Sequence, residues 1–360
     1  MFSPRLCSPK SRPWAGRALQ LFQRFTAALW WVHILATLAA LLVLNAIGLV
    51  IAAVFFVDFV DKHGPTSSEV PRQSAVDPAE AQALAERFAP ILKLDSRELF
   101  VPIRQAAYVG DTQLKVQDGR SIKVVNTAPT VETLPAAEGA CPRIRGCFYF
   151  LDVRGVEPDP PKHSESAYGA LEKHLLRTGE RPTVYAHVTH YDDTGEYAIQ
   201  YWFLYLFNYR LNEHESDWEQ ITVRLDESKD PVDAFYSEHN GGEVKSWAAI
   251  QKSGDHPFNY PALGSHANYF KPGRYRVQIV CQRLIGSFKS CLRGRKIVVD
   301  LTDGAGTTLR PGDYAVTTFA GPVFIGSYGS GNYVVLTRKP DILADPRTRS
   351  IWADPLQPLR

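Results

Sequence analysis

An uncharged apolar stretch near the N-terminus constrains this chain most. From Phe25 to Val57 there are 33 residues without an Asp, Glu, Lys or Arg. A helix needs about 20 apolar residues to cross the hydrocarbon core of a bilayer, and a soluble helix of this length would carry a charged face. The sequence therefore predicts one transmembrane helix, over residues 25–58.

The alternative for this stretch is a cleaved signal peptide. Such a peptide has an apolar region of about 7–15 residues and small residues at its cleavage site. This stretch is longer, and it ends in Phe55-Phe56-Val57-Asp58 rather than in small residues. We therefore expect an uncleaved signal-anchor.

The charges beside the predicted helix indicate its orientation. Five basic residues and no acid precede it: Arg5, Lys10, Arg12, Arg17 and Arg24. Asp58 and Asp61 follow it, with only Lys62. The positive-inside rule then predicts that residues 1–24 form a cytoplasmic tail and that the main domain lies in the periplasm, the extracellular space or a lumen.

The remaining charge excludes one class of partner. The chain has 40 Lys and Arg and 38 Asp and Glu, so without the five N-terminal residues 40 − 5 = 35 basic residues stand against 38 acidic ones. A nucleic-acid-binding domain would carry a basic excess. We expect no nucleic-acid partner.

The cysteines agree with export of the main domain. Cys7 lies in the predicted cytoplasmic tail, and the other four form two close pairs, Cys141 with Cys147 and Cys281 with Cys291. An even number of cysteines in an oxidising compartment favours disulfide bonds, here between sequence neighbours, with free buried thiols as the alternative. Neither pair has the C-x-x-C spacing of a zinc site.

Composition predicts the remaining boundaries. Residues 59–76 indicate a linker, residues 77–338 the folded domain, and residues 339–360 an irregular Pro-rich tail. Asp77 before Pro78 is typical of a helix start, and a second helix is expected over Ser164–Arg177, ended by Gly179.

Strand patterns dominate the rest of the domain. The strongest is a hairpin, Thr183–His190 and Glu196–Phe207, joined by the turn Asp193-Thr194-Gly195. Other predicted strands are Gln113–Val116, Ile122–Val125, Gln220–Leu225, Ala234–Ser237, Arg276–Cys281, Lys296–Leu301, Tyr314–Thr318 and Tyr333–Thr337. We expect a mainly β fold, an antiparallel β-sandwich or jelly-roll-like domain with a few short helices.

The segment His214-Glu215-Ser216-Asp217-Trp218-Glu219 carries the chemistry. On a strand, Asp217 and Glu219 project to one face and Trp218 to the other. Two carboxylates on one face attract a cation, and His214 could complete one side of a Ca²⁺, Mg²⁺ or Mn²⁺ site. The plain alternative is a solvated strand face.

Two further histidines lie in segments of similar character. His239 stands in Ser237-Glu238-His239-Asn240-Gly241-Gly242, and His266 stands in Leu263-Gly264-Ser265-His266-Ala267-Asn268-Tyr269, where small residues would let backbone approach a ligand. The predicted metal ligands are therefore His214, Asp217, Glu219, His239 and His266. A single histidine is more often structural than a ligand.

These segments together resemble a known family. Glu86-Arg87-Phe88-Ala89-Pro90, the Asp217-Trp218-Glu219 core, His239 with its glycines and the His266 segment occur in the order found in the vacuolar protein sorting-associated protein 62 family. The likeness spans roughly residues 84–272 and implies no settled activity.

The H-x-x-D-W-E pattern also resembles the heptapeptide of the necrosis- and ethylene-inducing-like proteins. Those are secreted β-sandwich cytolysins that bind a divalent metal and recognise membrane sphingolipids. The resemblance implies that His214, Asp217 and Glu219 are metal ligands. The residues before His214 differ from the glycine-histidine-arginine-histidine of those proteins, which argues against cytolysis.

Three functions follow as hypotheses. The favoured one is a binding module whose divalent cation contacts a lipid headgroup or a glycan, with Trp202, Trp247 and Tyr269 as possible lining, although core packing is the simpler role for Trp202. The second is a metal-dependent hydrolase with Glu215 or His239 as base, although no H-E-x-x-H or G-x-S-x-G motif is present. The third is a metal-free structural network that acts through a protein partner.

Overall fold

The structure is a computed structural model of the chain, and it describes residues 71–118, 121–134, 147–156, 164–210, 214–239, 241–280, 295–319, 329–330 and 350–360. The predicted anchor over residues 25–58, three of the four paired cysteines (141, 281 and 291) and the predicted strand at 333–337 lie outside these ranges. No helix within the described ranges is long and apolar enough to cross a bilayer. The anchor and the disulfide bonds stay predictions.

Short helices and many strands make up the described residues. The α-helices are α1 (Pro78–Arg87), α2 (Gln105–Gly110), α3 (Ser164–Arg177) and α4 (Ser350–Ala353). The strands are β1 (Gln73–Ala75), β2 (Ile91–Lys93), β3 (Thr112–Asp118), β4 (Ser121–Asn126), β5 (Cys147–Val153), β6 (Thr183–Tyr191), β7 (Tyr197–Asn208), β8 (His214–Leu225), β9 (Pro231–Glu238), β10 (Gly241–Ser246), β11 (Lys252–Ser253), β12 (His256–Pro261), β13 (Asn268–Tyr269), β14 (Gly273–Val280), β15 (Arg295–Thr302), β16 (Thr308–Leu309), β17 (Ala315–Thr318) and β18 (Gly329–Ser330). The domain is therefore mainly β, as the sequence predicts.

The largest sheet has seven strands in the order β1-β6-β7-β8-β9-β10, with β17 also paired to β6. The neighbours from β6 to β10 are antiparallel, as predicted. Three other pairs are parallel: β17 with β6, β12 with β2 and β18 with β5. Each of these three joins segments far apart in the chain, because a parallel neighbour requires a long crossover. The sandwich arrangement stays a prediction.

The predicted hairpin is confirmed, and its second strand is the centre of the core. All eleven residues of β7 after Tyr197 are buried, including Trp202, because neighbouring strands flank β7 and other elements cover both of its faces. Tyr168 of α3 stacks on Phe207 with ring centroids 4.1 Å apart. At the turn, Gly195 has a φ of 72°, which glycine adopts without strain.

The sequence signals for the start of α1 and the end of α3 are also confirmed. The Asp77 side chain accepts hydrogen bonds from the backbone N–H groups of Ala79 and Glu80, which would otherwise lack partners at the start of α1. Helix α3 ends at Arg177, and Gly179 beyond it has a φ of 103°.

Two segments expected to be irregular join the sheet region. Residues Gln73–Ala75, inside the predicted linker, form β1 because β6 offers an unpaired edge, and Ser74 Oγ lies 3.0 Å from His190 Nδ1. In the predicted tail, the Gln200 side chain donates to Ile351 O at 2.8 Å and Leu356 is buried. Apolar side chains in the Pro-rich tail are thus buried against the sheet, and composition alone does not predict this packing.

Candidate functional site

Strand β8 presents the predicted site residues on one face. The Trp218 ring contacts Tyr185 edge-on, with centroids 5.7 Å apart. Asp217 and Glu219 flank Trp218 along the strand and so project to the opposite face, as predicted. The alternation that the sequence predicts for this strand is confirmed.

His266 lies between two buried carboxylates. Its Nδ1 is 2.9 Å from Asp217 Oδ2, and its Nε2 is 3.7 Å from Glu98 Oε1, beyond hydrogen-bond distance. The imidazole is fully buried and stacks on Tyr205 with centroids 3.8 Å apart and an interplanar angle of 6°. Two acids and one imidazole thus share a site closed to solvent.

Charge complementarity fixes the protonation of this group. Burial alone would raise the pKa of Asp217, but its interactions with His214 and His266 hold that pKa well below its usual range. Burial would lower the pKa of His266, yet the charge of Glu98 and the hydrogen bond to Asp217 raise it to about 10. At neutral pH His266 is therefore an imidazolium between two carboxylates.

Glu98 also holds the loop that carries His266. Its Oε2 accepts a hydrogen bond from Gly264 N at 2.7 Å, and its Oε1 accepts from Phe100 N. Gly264 has a φ of 69°, and a Cβ there would lie 2.7 Å from the Tyr209 ring, so only glycine fits. Gly264 therefore accommodates the Tyr209 ring.

His214 and Asn208 approach Asp217 from the end of β7 and the start of β8. The Asn208 side-chain amide donates to Asp217 Oδ2 at 3.0 Å. His214 Nε2 lies 3.6 Å from Asp217 Oδ1, and both residues are buried. The second oxygen of Asp217 therefore faces an imidazole nitrogen across a gap wider than a hydrogen bond.

Glu219 lies on the same strand face but is half-buried. Its Oε2 accepts from Ser237 Oγ at 3.1 Å and lies 3.5 Å from Asn268 Nδ2. Ser237 and His239 beside it are also half-buried. The acid–histidine group thus runs from the buried interior at His266 to a partly open rim at Glu219 and His239.

His239 pairs with an acid that the sequence did not single out. Its Nε2 lies 2.7 Å from Asp300 Oδ2, which also accepts from Tyr269 OH at 2.7 Å, while Asp300 Oδ1 accepts from Ser265 Oγ at 3.0 Å. Burial lowers the pKa of His239, but the hydrogen bond and charge of Asp300 raise it overall, and Glu219 and Asp217 act in the same direction. Those two acids therefore lie near enough to act on His239.

Strained backbone coincides with this group. Ser216, His239 and His266 have φ angles of 53°, 51° and 55°, and Lys229 is the fourth non-glycine residue with positive φ among the described residues. The left-handed conformation costs about 1–2 kcal/mol for a residue with a Cβ. Such strain gathers at functional sites.

Glu215, proposed from sequence as a base, is held elsewhere. It is fully buried, both of its carboxylate oxygens lie 3.1 Å from Val153 N, and Oε1 accepts from Tyr168 OH at 2.7 Å. Burial and the charge of Asp152 raise the pKa of Glu215 to about 8. These contacts tie β8 to β5 and α3, and none of them joins Glu215 to His239.

Sequence reasoning missed three residues of the site. Glu98 and Asn208 carry no recognisable pattern, because their partners lie far along the chain or across a strand pair. Asp300 had a signal, since it interrupts the apolar run Ile297-Val298-Val299 in β15. An acid within an apolar strand needs a buried partner.

The aromatic residues considered as site lining are buried. Trp202 and Tyr269 have no exposed surface, and Trp247 is 8% exposed. Core packing, expected for Trp202, therefore applies to all three, although Tyr269 reaches the site through its hydrogen bond to Asp300.

An open cleft lies elsewhere in the fold. It has a volume of about 400 Å³ and lies between β1, the start of α1, β6 and β17, with His187, Thr189 and Phe319 in its lining. None of the predicted site residues borders it.

The residues fit a divalent cation only in part. Asp217 and His214 face each other suitably, whereas Glu219 is turned toward Ser237. Within the described ranges, no three His, Cys, Asp or Glu side chains stand together in a group that could hold a metal. His239 belongs to the Asp300 group and His266 bridges Asp217 and Glu98.

Fold and site define a mainly β protein with a buried acid–histidine network on one face of its central sheet. The family model of vacuolar protein sorting-associated protein 62 matches residues 189–324, which include β7 to β17 and most of this network. The resemblance to that family is thus confirmed over those residues. No curated protein matches the chain.

The similar solved structures include necrosis- and ethylene-inducing proteins, as the sequence resemblance suggested. NLPPya in complex with glucosamine is 21% identical, with 57% of this chain and 74% of that chain covered and a TM-score of 0.31. NLPPya with mannosamine is 20% identical, with coverage of 57% and 75% and a TM-score of 0.32. Necrosis and Ethylene inducing Protein 2 from the causal agent of cocoa's Witches Broom disease is 12% identical, with coverage of 70% and 78% and a TM-score of 0.29. Likeness at this level carries no argument about the activity of this chain.

Proposed function

We propose that the domain is a binding module in which His214, Asp217 and Glu219 hold a divalent cation, and that the cation binds oxygen atoms of a lipid headgroup or glycan. The observation that carries this proposal is the 3.6 Å between His214 Nε2 and Asp217 Oδ1. That distance suits two atoms bound to one ion at about 2.0–2.6 Å each.

The donor set favours a hard cation. Two carboxylates and one imidazole suit Mn²⁺, and Ca²⁺ or Mg²⁺ if water completes the shell. Glu219 would leave Ser237 and turn toward Asp217, a rotation available to a half-buried side chain. Because Glu219 and His239 lie at the rim, phosphate or sugar oxygens could reach the cation from solvent.

His266 has a different part in this proposal. Its imidazolium neutralises Asp217 and Glu98 from the buried side, so Asp217 keeps one oxygen for His266 and Asn208 and the other for the ion. His239 lies beside Asp300 at the rim, where it can donate to an anionic ligand.

The second candidate is the metal-free network. One observation favours it: His266 already supplies a positive charge between Glu98 and Asp217, so these two acids need no ion. The hydrolase hypothesis lacks a comparable observation, because Glu215 is closed to solvent and held by Val153 and Tyr168.

Calorimetric titration of the full chain with MnCl₂, CaCl₂ and MgCl₂ after chelator treatment tests the proposal. We expect one ion per chain, with Glu219→Gln weakening binding about tenfold or more and Glu227→Gln, at an exposed turn, leaving it unchanged. If the wild-type chain binds none of the three ions while Glu219→Gln lowers the unfolding temperature, the metal-free network is correct and the cation site is not.

A further inference from the structure

The β14–β15 ribbon has one face in the core region and one face in solvent. Its two strands pair over eight residues each, from Gly273 opposite Thr302 to Val280 opposite Arg295. On the inner face, Tyr275 stacks on Tyr269 with centroids 3.7 Å apart, and Asp300 binds His239. The acid–histidine network thus fixes the position of this ribbon.

Successive side chains along each strand of the ribbon point alternately to the inner and the outer face. Opposed residues of an antiparallel pair share a face, so Arg274 lies beside Leu301 and Arg276 beside Val299. Both arginines are exposed, Val299 and Leu301 are half-buried, and Ile297 on the same face is 60% exposed. Aliphatic and cationic side chains therefore alternate on an open surface of the protein.

Arg274 and Arg276 give this surface a positive charge. No Asp or Glu occurs between Asp255 and Asp300, whereas eight Lys and Arg occur there. Other exposed arginines, such as Arg72 beside Asp193 and Arg87 beside Asp255, face an acid. Neither Arg274 nor Arg276 has a carboxylate partner among the described residues.

We propose that this outer face, defined by Arg274, Arg276, Ile297, Val299 and Leu301, docks on an anionic lipid bilayer. Guanidinium groups pair with lipid phosphates, and each basic residue near an anionic membrane strengthens attachment. The aliphatic side chains between the arginines can enter the interfacial region of the bilayer. A purely polar anionic polymer would leave these side chains exposed to water. Charge and aliphatic surface together favour a bilayer over such a polymer.

Docking through the ribbon goes beyond the proposed cation site and does not depend on it. The outer face contains no carboxylate, so a chelator leaves it unchanged. The ribbon would orient the domain, because its inner face is joined to the network through Tyr269 and Asp300.

Vesicle capture tests this inference with the full chain. The chain is held in phosphatidylcholine nanodiscs, which accommodate the predicted N-terminal helix, and is floated with vesicles of phosphatidylcholine with or without phosphatidylserine. We expect capture only by the anionic vesicles, reduced by high salt and unaffected by EDTA. Arg274→Gln with Arg276→Gln should lower the apparent affinity on the order of tenfold.

Matched variants distinguish docking through this surface from a general effect of the net charge on vesicle capture. Lys173→Gln with Arg177→Gln removes two exposed charges from α3 and should leave capture unchanged. Ile297→Ser should weaken capture and make the remainder more sensitive to salt. Equal capture of the Arg274→Gln/Arg276→Gln variant and the Lys173→Gln/Arg177→Gln variant would overturn the proposal. Loss with EDTA would assign docking to the cation site instead.

Discussion

At the residue scale, the site combines buried charge with backbone strain. Asp217 accepts from both His266 and Asn208, and Glu98 lies on the far side of His266. Ser216 and His266, next to or within this group, adopt left-handed conformations. A fold keeps such features only where surrounding contacts fix them, which Glu98 provides by holding Gly264.

Replacing Asp217 tests the buried charge group. In the presence of chelator, Asp217→Asn leaves the His266 imidazolium with a single, more distant acid, and we expect the free energy of unfolding to fall by about 3–5 kcal/mol. Urea denaturation measures this change. The exposed Arg72–Asp193 pair is the comparison, since Asp193→Asn should have no measurable effect. Equal stability of Asp217→Asn and wild type would contradict the charge assignment.

Glu172 on α3 makes stability depend on pH. Burial raises its pKa to about 8 from an ordinary value of 4.5, so the folded state holds a proton that the unfolded state releases. This contribution to stability is therefore complete below pH 4.5 and is lost as the pH rises toward about 8.

In the wild type, Glu172 Oε1 accepts a hydrogen bond from Val101 N at 2.5 Å. The variant Glu172→Gln keeps an acceptor for that bond and removes the titrating carboxyl proton. Denaturation at several pH values should show a smaller loss of stability between pH 4.5 and about 8 than in wild type. Glu215 and Glu238, whose pKa values are raised to about 8 and about 7, contribute to the slope that remains. An unchanged slope would show that Glu172 is ionised in the folded protein.

At the element scale, local sequence signals correctly predicted the start of a helix and the turn of a hairpin. Asp77 caps α1 because its side chain reaches the next two backbone N–H groups, and the Gly195 turn joins β6 to β7. Partners far apart in sequence were not predictable: the edge of β6 recruits β1 from the expected linker and β17 in parallel. The site divides similarly, since the strand pattern reveals Asp217 and Glu219 but not Glu98 or Asn208.

The C-terminal segment should contribute to stability, contrary to its irregular composition. Leu356 is buried against Tyr191 and Ala198, so Leu356→Ala should lower the free energy of unfolding by about 2 kcal/mol. Leu359, which is only half-buried beside that cluster, is the matched control, and Leu359→Ala should cost less than about 1 kcal/mol. If both variants match wild type in urea denaturation, the segment is not packed on the sheet.

At the scale of the whole molecule, the central sheet brings together segments that sequence separates widely. Strand β8 supplies Asp217 and Glu219, the loop before β13 supplies His266, and β15 supplies Asp300. The network thereby connects the core to a partly open rim and to the basic ribbon.

Electron spin-echo spectroscopy of Mn²⁺ bound to the full chain tests the shared cation most directly, because it detects an imidazole nitrogen bonded to the ion. We expect a single histidine coupling that His214→Gln removes and His239→Gln retains. Absence of bound Mn²⁺, or a nitrogen coupling that persists in His214→Gln, would contradict a cation shared by His214, Asp217 and Glu219.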